Sequence, residues 1–113
     1  MIHKYRAIIT GVYDGDTVTA NIDLGMQVWL HDVKLRILGI DAPEIRTKDL
    51  TEKAAAIKAR DRVKDLILGK EVILETKKKG KYGRWLVSIV IGDEELSQIL
   101  LNEGLVSVYP DKN

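Results

Sequence analysis

Cysteine is absent from all 113 residues, which removes disulfides and thiolate metal sites and leaves oxygen or histidine as the only ligands for a metal. A dominant charge is absent too. The 18 basic residues nearly balance the 17 acidic ones, so any attraction for phosphate must come from local clustering rather than from the chain as a whole. No apolar run approaches membrane-spanning length, and Met1-Ile2-His3-Lys4-Tyr5-Arg6 leads into a strand-like segment without the apolar stretch of a secretory signal. The expectation is a soluble, unexported, cytoplasmic protein with no membrane partner. Repeats, low-complexity tracts and linkers are missing, apart from the polar tail Asp111-Lys112-Asn113. His3 and His31 have no nucleophile or ligand triad around them, and Ser88, Ser97 and Ser107 have no elbow motif, which argues against acyl transfer.

The 45% of hydrophobic residues suffices for one modest core, so residues 1–113 read as a single domain. β-Branched residues dominate Tyr5 to Tyr13 and Asp16 to Leu24 with Asp14-Gly15 between them, which predicts a β-hairpin. A turn at Leu24-Gly25 precedes strand-like Gln27 to Leu30 and Val33 to Ile40, with a bulge or bend at His31-Asp32. Val33, Leu35 and Ile37 share one face of that strand, Lys34 and Arg36 the other. Asp49 followed by Glu52 has the spacing of a capping box, and the alanine-rich run to Leu68 ends at Gly69, so a helix is predicted with Ala55, Ala59, Val63 and Leu66 or Ile67 inward. Val72 to Leu74 and Trp85 to Ile91 are further strands, flanking a basic loop from Lys77 to Lys81. A short helix from Glu94 to Glu103 follows, with Leu96, Ile99 and Leu100 inward and Gly104 ending it. This order suits an α+β, mainly β fold: a small five-stranded OB-fold-type barrel with the main helix between strands 3 and 4 and the short helix after strand 5. An α+β sandwich fits the same pattern.

Chemistry concentrates in three segments. In Leu35-Arg36-Ile37-Leu38-Gly39-Ile40-Asp41-Ala42-Pro43-Glu44 an apolar strand delivers an arginine and two carboxylates to one strand end. Asp14-Gly15-Asp16-Thr17 adds an acidic pair, and Lys81-Tyr82-Gly83-Arg84 adds a second arginine, each beside a glycine. Asp14-Gly15 also suits a tight hairpin and nothing more. Strict alternation would put Arg36 and Asp41 on opposite faces, an obstacle that a bend at Gly39 removes. Two guanidinium groups on separate strands can grip one phosphodiester through bidentate bonds, and a hard cation such as calcium takes carboxylate oxygens while tolerating water in its shell. Glu44, close after Asp41, is placed to accept a proton from an attacking water. The Lys77–Lys81 run is either a solvated turn or, with Tyr82, a place for a base and a phosphate. Trp29 and Trp85 are expected in the core or barrel wall.

Together these segments resemble the staphylococcal nuclease family over about Val12 to Leu105. The resemblance implies an OB-type barrel, calcium on Asp16, Asp41 and the Ala42 carbonyl, Glu44 as general base, and Arg36 and Arg84 on the phosphate. Ala42 stands where the family usually has threonine, which a carbonyl ligand tolerates. The resemblance also places Lys81 and Tyr82 on a terminal phosphate of the substrate and Tyr109 on a base. It implies hydrolysis of DNA or RNA, single-stranded by preference, with the 5′ oxygen leaving and a 3′-phosphate remaining. Two other readings stay open: a catalytically silent module that binds single-stranded nucleic acid, and a protein-interaction domain. The segment between Asp16 and Asp41 is longer than in the secreted nuclease, which implies an extended hairpin around Leu24 to His31. Whether the protein is a monomer or a homodimer is left undecided by the sequence.

Overall fold

The computed structural model describes residues 3–79 and 84–109, with backbone alone over 77–79. β1 (His3–Asp14) and β2 (Thr17–Asp23) form the first hairpin, where every second residue of β2 is buried as the alternation requires. β3 (Trp29–Ile37) pairs antiparallel with β2 from Thr17↔Arg36 to Asp23↔Trp29. Between Ala20↔Val33 and Ile22↔Leu30 the register shifts, so the extra residue falls at His31-Asp32, where a bulge was expected. Asp32 takes φ +55°, and its amide donates to Asn21 Oδ1 at 3.0 Å. Strand pairing thus runs through this point rather than breaking, and Gln27 lies outside the strand.

A turn at Leu38-Gly39, with Gly39 at φ +87°, leads to the short β4 (Ile40–Asp41). α1 (Leu50–Ile67) starts at Asp49, whose carboxylate accepts from the amides of Thr51 and Glu52, and ends before Gly69 at φ +75°. Then come β5 (Glu71–Lys79), β6 (Trp85–Ile91), β7 (Glu94–Glu95), α2 (Leu96–Asn102) and β8 (Ser107–Val108). The sheet order is β3-β2-β1-β5-β6-β7, and parallel pairing of β3 with β6 at Leu35–Ile37 closes five strands into a barrel. The main helix follows the third barrel strand and the short helix the fifth. Closure settles the choice against an open sandwich. No helix among the described residues is long and apolar enough to cross a membrane.

Inward positions of the strands supply Ala7, Ile9, Val18, Ala20, Ile22, Leu35, Ile37, Val72, Leu74, Val87 and Ile89 to one core. α1 seals one end with Val63 and Ile67, α2 another with Leu96 and Leu100. Each large aliphatic side chain so buried is worth about 2 kcal/mol. Arg62 of α1 holds Glu103, just past α2, through two bonds of 2.8 and 2.9 Å.

Three expectations need correction. The inward helix face is Ala56, Ala59, Val63 and Ile67, and Ala55 is exposed, because the residue three before Ala59 rather than four turns toward the barrel. Lys77 to Lys79 belong to β5 rather than to a loop, since the β5–β6 ladder continues to Lys79↔Trp85. Glu94 and Glu95 pair with Ile91 and Val90 as a strand before the short helix begins. Of the two places expected for Trp29 and Trp85, the structure gives the barrel wall: both start barrel strands and are 38% and 42% exposed.

Gly15 shows why the first hairpin turn is built as it is. It is buried and is not among the glycines with positive φ, so the turn does not need glycine for its backbone angles. It needs the space: a Cβ there would lie 2.9 Å from Ala42 Cβ and 3.1 Å from Ala59 Cβ. Gly15→Ala is therefore expected to destabilise the protein by about 1–3 kcal/mol, whereas Gly25→Ala would act only through local strain of about 1 kcal/mol. Urea unfolding of both variants tests this, and equal midpoints would refute the packing argument.

Candidate functional site

Asp16 sits at the end of the β1–β2 turn with only 5% of its surface exposed, and it gathers its neighbours by hydrogen bonds. Its Oδ2 accepts from the Ala42 amide at 2.9 Å and lies 2.7 Å from Arg36 Nη1, while its Oδ1 accepts from the Thr17 hydroxyl at 2.9 Å. Its own carbonyl accepts from the Ile37 amide at 2.9 Å. One buried carboxylate therefore fixes β2, β3 and the segment after β4 at a single point.

Arg36 reaches both acids. Its Nη2 lies 3.7 Å from Asp41 Oδ1 and donates to the Ile40 carbonyl at 3.2 Å. The positive φ of Gly39 makes this possible, because the turn reverses the chain and β4 returns Asp41 toward the face that carries Arg36. The face conflict is resolved where the sequence located a way out. Tyr109 covers the guanidinium from the other side, its ring centroid 5.2 Å from Arg36 Cζ. β8 holds that ring in place: Ile40 pairs with Val108 and Asp41 with Ser107, and the Tyr109 amide donates to the Gly39 carbonyl at 3.0 Å.

Arg84 arrives from the barrel-closing pair, next to Trp85, which is in register with Leu35. Its Nη1 lies 3.5 Å from the Thr17 hydroxyl, so a chain of contacts runs from Arg84 through Thr17 to Asp16. Asp16, Arg36, Asp41, Ala42, Glu44, Arg84 and Tyr109 all line one open cavity of about 690 Å³. Lys81 and Tyr82 lie outside the described residues.

Asp14 is a buried neighbour of Asp16, and one of its oxygens accepts from the Asp16 amide at 3.2 Å. Burial, and then the adjacent Asp16 carboxylate, push the Asp14 carboxyl up to about 7. Burial also works against the charged form of Asp16, but hydrogen bonds from Asp14, the Ala42 amide and Arg36 outweigh it, and the net shift is downward. The pair therefore holds one firmly ionised carboxylate, the one that faces Arg36. For a metal, the cavity offers the carboxylates of Asp16 and Asp41 and the backbone at Ala42, an all-oxygen set that suits a hard cation completing its shell with water. Among the described residues no group of three or more His, Asp or Glu side chains is arranged to hold a metal, so such a cation would depend on those waters.

The sequence model described as staphylococcal nuclease homologue matches residues 34–113. The chain belongs to this family. Two relatives are thermonucleases: that of Staphylococcus intermedius is 30% identical over 91% of this chain and 60% of its own length. That of Staphylococcus hyicus is 32% identical over 83% of this chain and 53% of its own length. An uncharacterised protein of Methanocaldococcus jannaschii is 30% identical over 95% of this chain and 60% of its own length. The chain thus spans little more than half the length of these relatives. The family match begins at Lys34, so Asp14 and Asp16 are joined to it by the fold rather than by the matched span.

Three residues contribute to the site in ways the sequence did not assign to them. Thr17 is the hydroxyl between Asp16 and Arg84, and Asp14 is a buried acid rather than a turn former alone. The third is Glu52. Its place three residues after Asp49 predicts a bond back to the Asp49 amide, but that amide donates to the Thr47 hydroxyl at 3.2 Å instead. Glu52 is released to accept from the Glu44 amide at 3.3 Å, with the Thr47 hydroxyl 3.5 Å from its other oxygen. The N-terminus of α1 thereby ties down the backbone of Glu44. Glu52→Ala is expected to speed amide exchange at Glu44 and to cost about 1–2 kcal/mol, and Glu52→Gln, which keeps an acceptor, to restore most of it. Unchanged exchange at Glu44 in the alanine variant would show that the tether does not hold.

Proposed function

We propose that this chain is a calcium-dependent phosphodiesterase that hydrolyses DNA or RNA, single-stranded by preference, through one thermonuclease-like domain. The observation that carries the reading is Arg36 bridging Asp16 and Asp41 in the cavity that also receives Arg84 and Glu44. The thermonuclease relatives support the reaction class. An open cavity with Tyr13 and Tyr109 on its walls supports a substrate whose bases are unstacked.

Arg36 and Arg84 bind the non-bridging oxygens of the scissile phosphate, where negative charge grows in the transition state. Glu44 accepts a proton from water as the water oxygen bonds to phosphorus. The bond to the 5′ oxygen breaks with its electron pair, the leaving oxygen takes a proton from solvent, and a 3′-phosphate remains. Asp16, Asp41 and the Ala42 carbonyl would hold calcium, whose chemistry is to neutralise a phosphate oxygen. Lys81 and Tyr82 contact a terminal phosphate of the substrate in this reading, and Tyr109 a base.

Arg84 tests the mechanism better than Arg36. Removing Arg36 would leave buried Asp16 without its counter-charge, at a cost of about 3–5 kcal/mol that confounds folding with catalysis. Arg84→Ala is expected to lower kcat on the order of 10²–10³-fold in a folded protein. The decisive assay is cleavage of labelled single-stranded DNA and RNA with calcium or chelator, alongside Glu44→Gln. Calcium-dependent cleavage that collapses in Glu44→Gln is expected. Salt-sensitive binding without product would replace this reading by the silent binding module, and no affinity at low salt would remove nucleic acid altogether.

A further inference from the structure

The hairpin joining β2 to β3 exposes large apolar side chains that the barrel does not use. Leu24 is 43% exposed, Met26 97%, Val28 51%, Trp29 38% and Leu30 46%. Two backbone bonds close the turn that presents them: the Leu24 amide donates to the Val28 carbonyl at 2.8 Å, and the Val28 amide to the Gly25 carbonyl at 3.0 Å. Gly25, Met26 and Gln27 are all at positive φ, and for the two non-glycine residues this costs about 1 kcal/mol each. A strained turn that delivers a methionine to solvent needs a reason outside the isolated chain.

Five exposed large apolar side chains within seven residues are the kind of surface that marks an interaction site. From Asp23 to Asp32 there is no lysine or arginine, and the arginine that reaches Asp23, Arg6, is engaged by Asp23 and Glu71. That composition disfavours a phosphate-bearing surface, whether membrane or nucleic acid. The backbone points to a strand instead. β3 pairs with β6 only at Leu35–Ile37, so among the described residues Trp29 to Lys34 have a strand on one side alone.

We propose that the chain forms a homodimer in which the β3 edges of two copies pair antiparallel, with the two-fold axis between His31 and Asp32. This register is self-complementary. His31 faces Asp32 of the second copy, Trp29 faces its Lys34 as ring and cation, and Leu30 faces its Val33 on the inner side of the sheet. The bulge keeps the Asp32 amide on Asn21, so side chains rather than a ladder bond carry the centre. The apolar hairpin tips pack around this seam and bring the contact to the area that a stable dimer needs.

The test is sedimentation equilibrium of the full chain over about a hundredfold concentration range, since mass action makes association visible as a rising mass. The mass is expected to climb from 12.7 kDa toward twice that value. Met26→Asp combined with Leu30→Asp, both at exposed positions, is expected to weaken association at least tenfold with the melting temperature of the dilute protein unchanged. His31→Asp and Asp32→His should each weaken it, and the double exchange should restore it; histidine tolerates the positive φ at position 32. A chain that stays at 12.7 kDa throughout would overturn the proposal. So would wild-type association in the Met26/Leu30 variant, binding of a monomer to neutral lipid vesicles, or a double exchange that fails to recover.

Discussion

Everything in the site depends on one buried negative charge. Moving the Asp16 carboxylate out of water is unfavourable unless its oxygens are bonded, and the fold supplies the guanidinium of Arg36, the hydroxyl of Thr17 and the amide of Ala42. Those donors come from β3, from the start of β2 and from the segment after β4. The need to compensate one charge therefore fixes the relative positions of three pieces of chain, and burial beside Asp16 pushes the Asp14 carboxyl up to about 7, which works against a second full charge. Gly15 fits the same scheme: a turn without a side chain lets Ala42 and α1 approach closely enough for the Ala42 amide to reach Asp16.

A second layer of control lies outside the cavity. Glu52 and Thr47 use the capping groups of α1 to hold the amide of Glu44, so the longest helix acts as a brace for the loop that carries that acid. β8 does the same for Tyr109 through its pairing with β4. One brace is a side-chain bond to backbone and the other a short strand pairing, and both come from elements whose own position is set by the core, which keeps the polar groups of an open cavity from relaxing into solvent.

The barrel was legible because its signals are local. Alternation at Val18, Ala20 and Ile22, the helix stop at Gly69 and the bend at Gly39 are each readable within a few residues. The convergence of Arg36 with Asp41 followed once Gly39 was allowed to turn the chain. What escaped notice was set by partners distant in sequence. Thr17 is unremarkable until Arg84 lies beside it, 67 positions away. Glu52 satisfies its local pattern so well that its diversion to Glu44 leaves no trace in spacing. β8 is two residues long and exists only because β4 is there to receive it. The inward face of α1 differs from expectation at one residue, since alanines at 55 and 56 both lie at helical spacing from Ala59 and only burial in the folded protein distinguishes them.

The parallel pairing of β3 with β6 also makes the site depend on a long-range closure. Leu35 and Trp85 meet across 50 intervening steps of chain, and joining such distant segments carries a large entropic penalty that local hairpins do not. The two arginines sit on the two sides of that seam. A nascent or partly opened chain can own its hairpins and its helix, yet it cannot own the arginine pair. The pairing of Arg36 with Arg84 across one cavity is thus a property of the closed barrel alone, and no smaller part of the chain carries it.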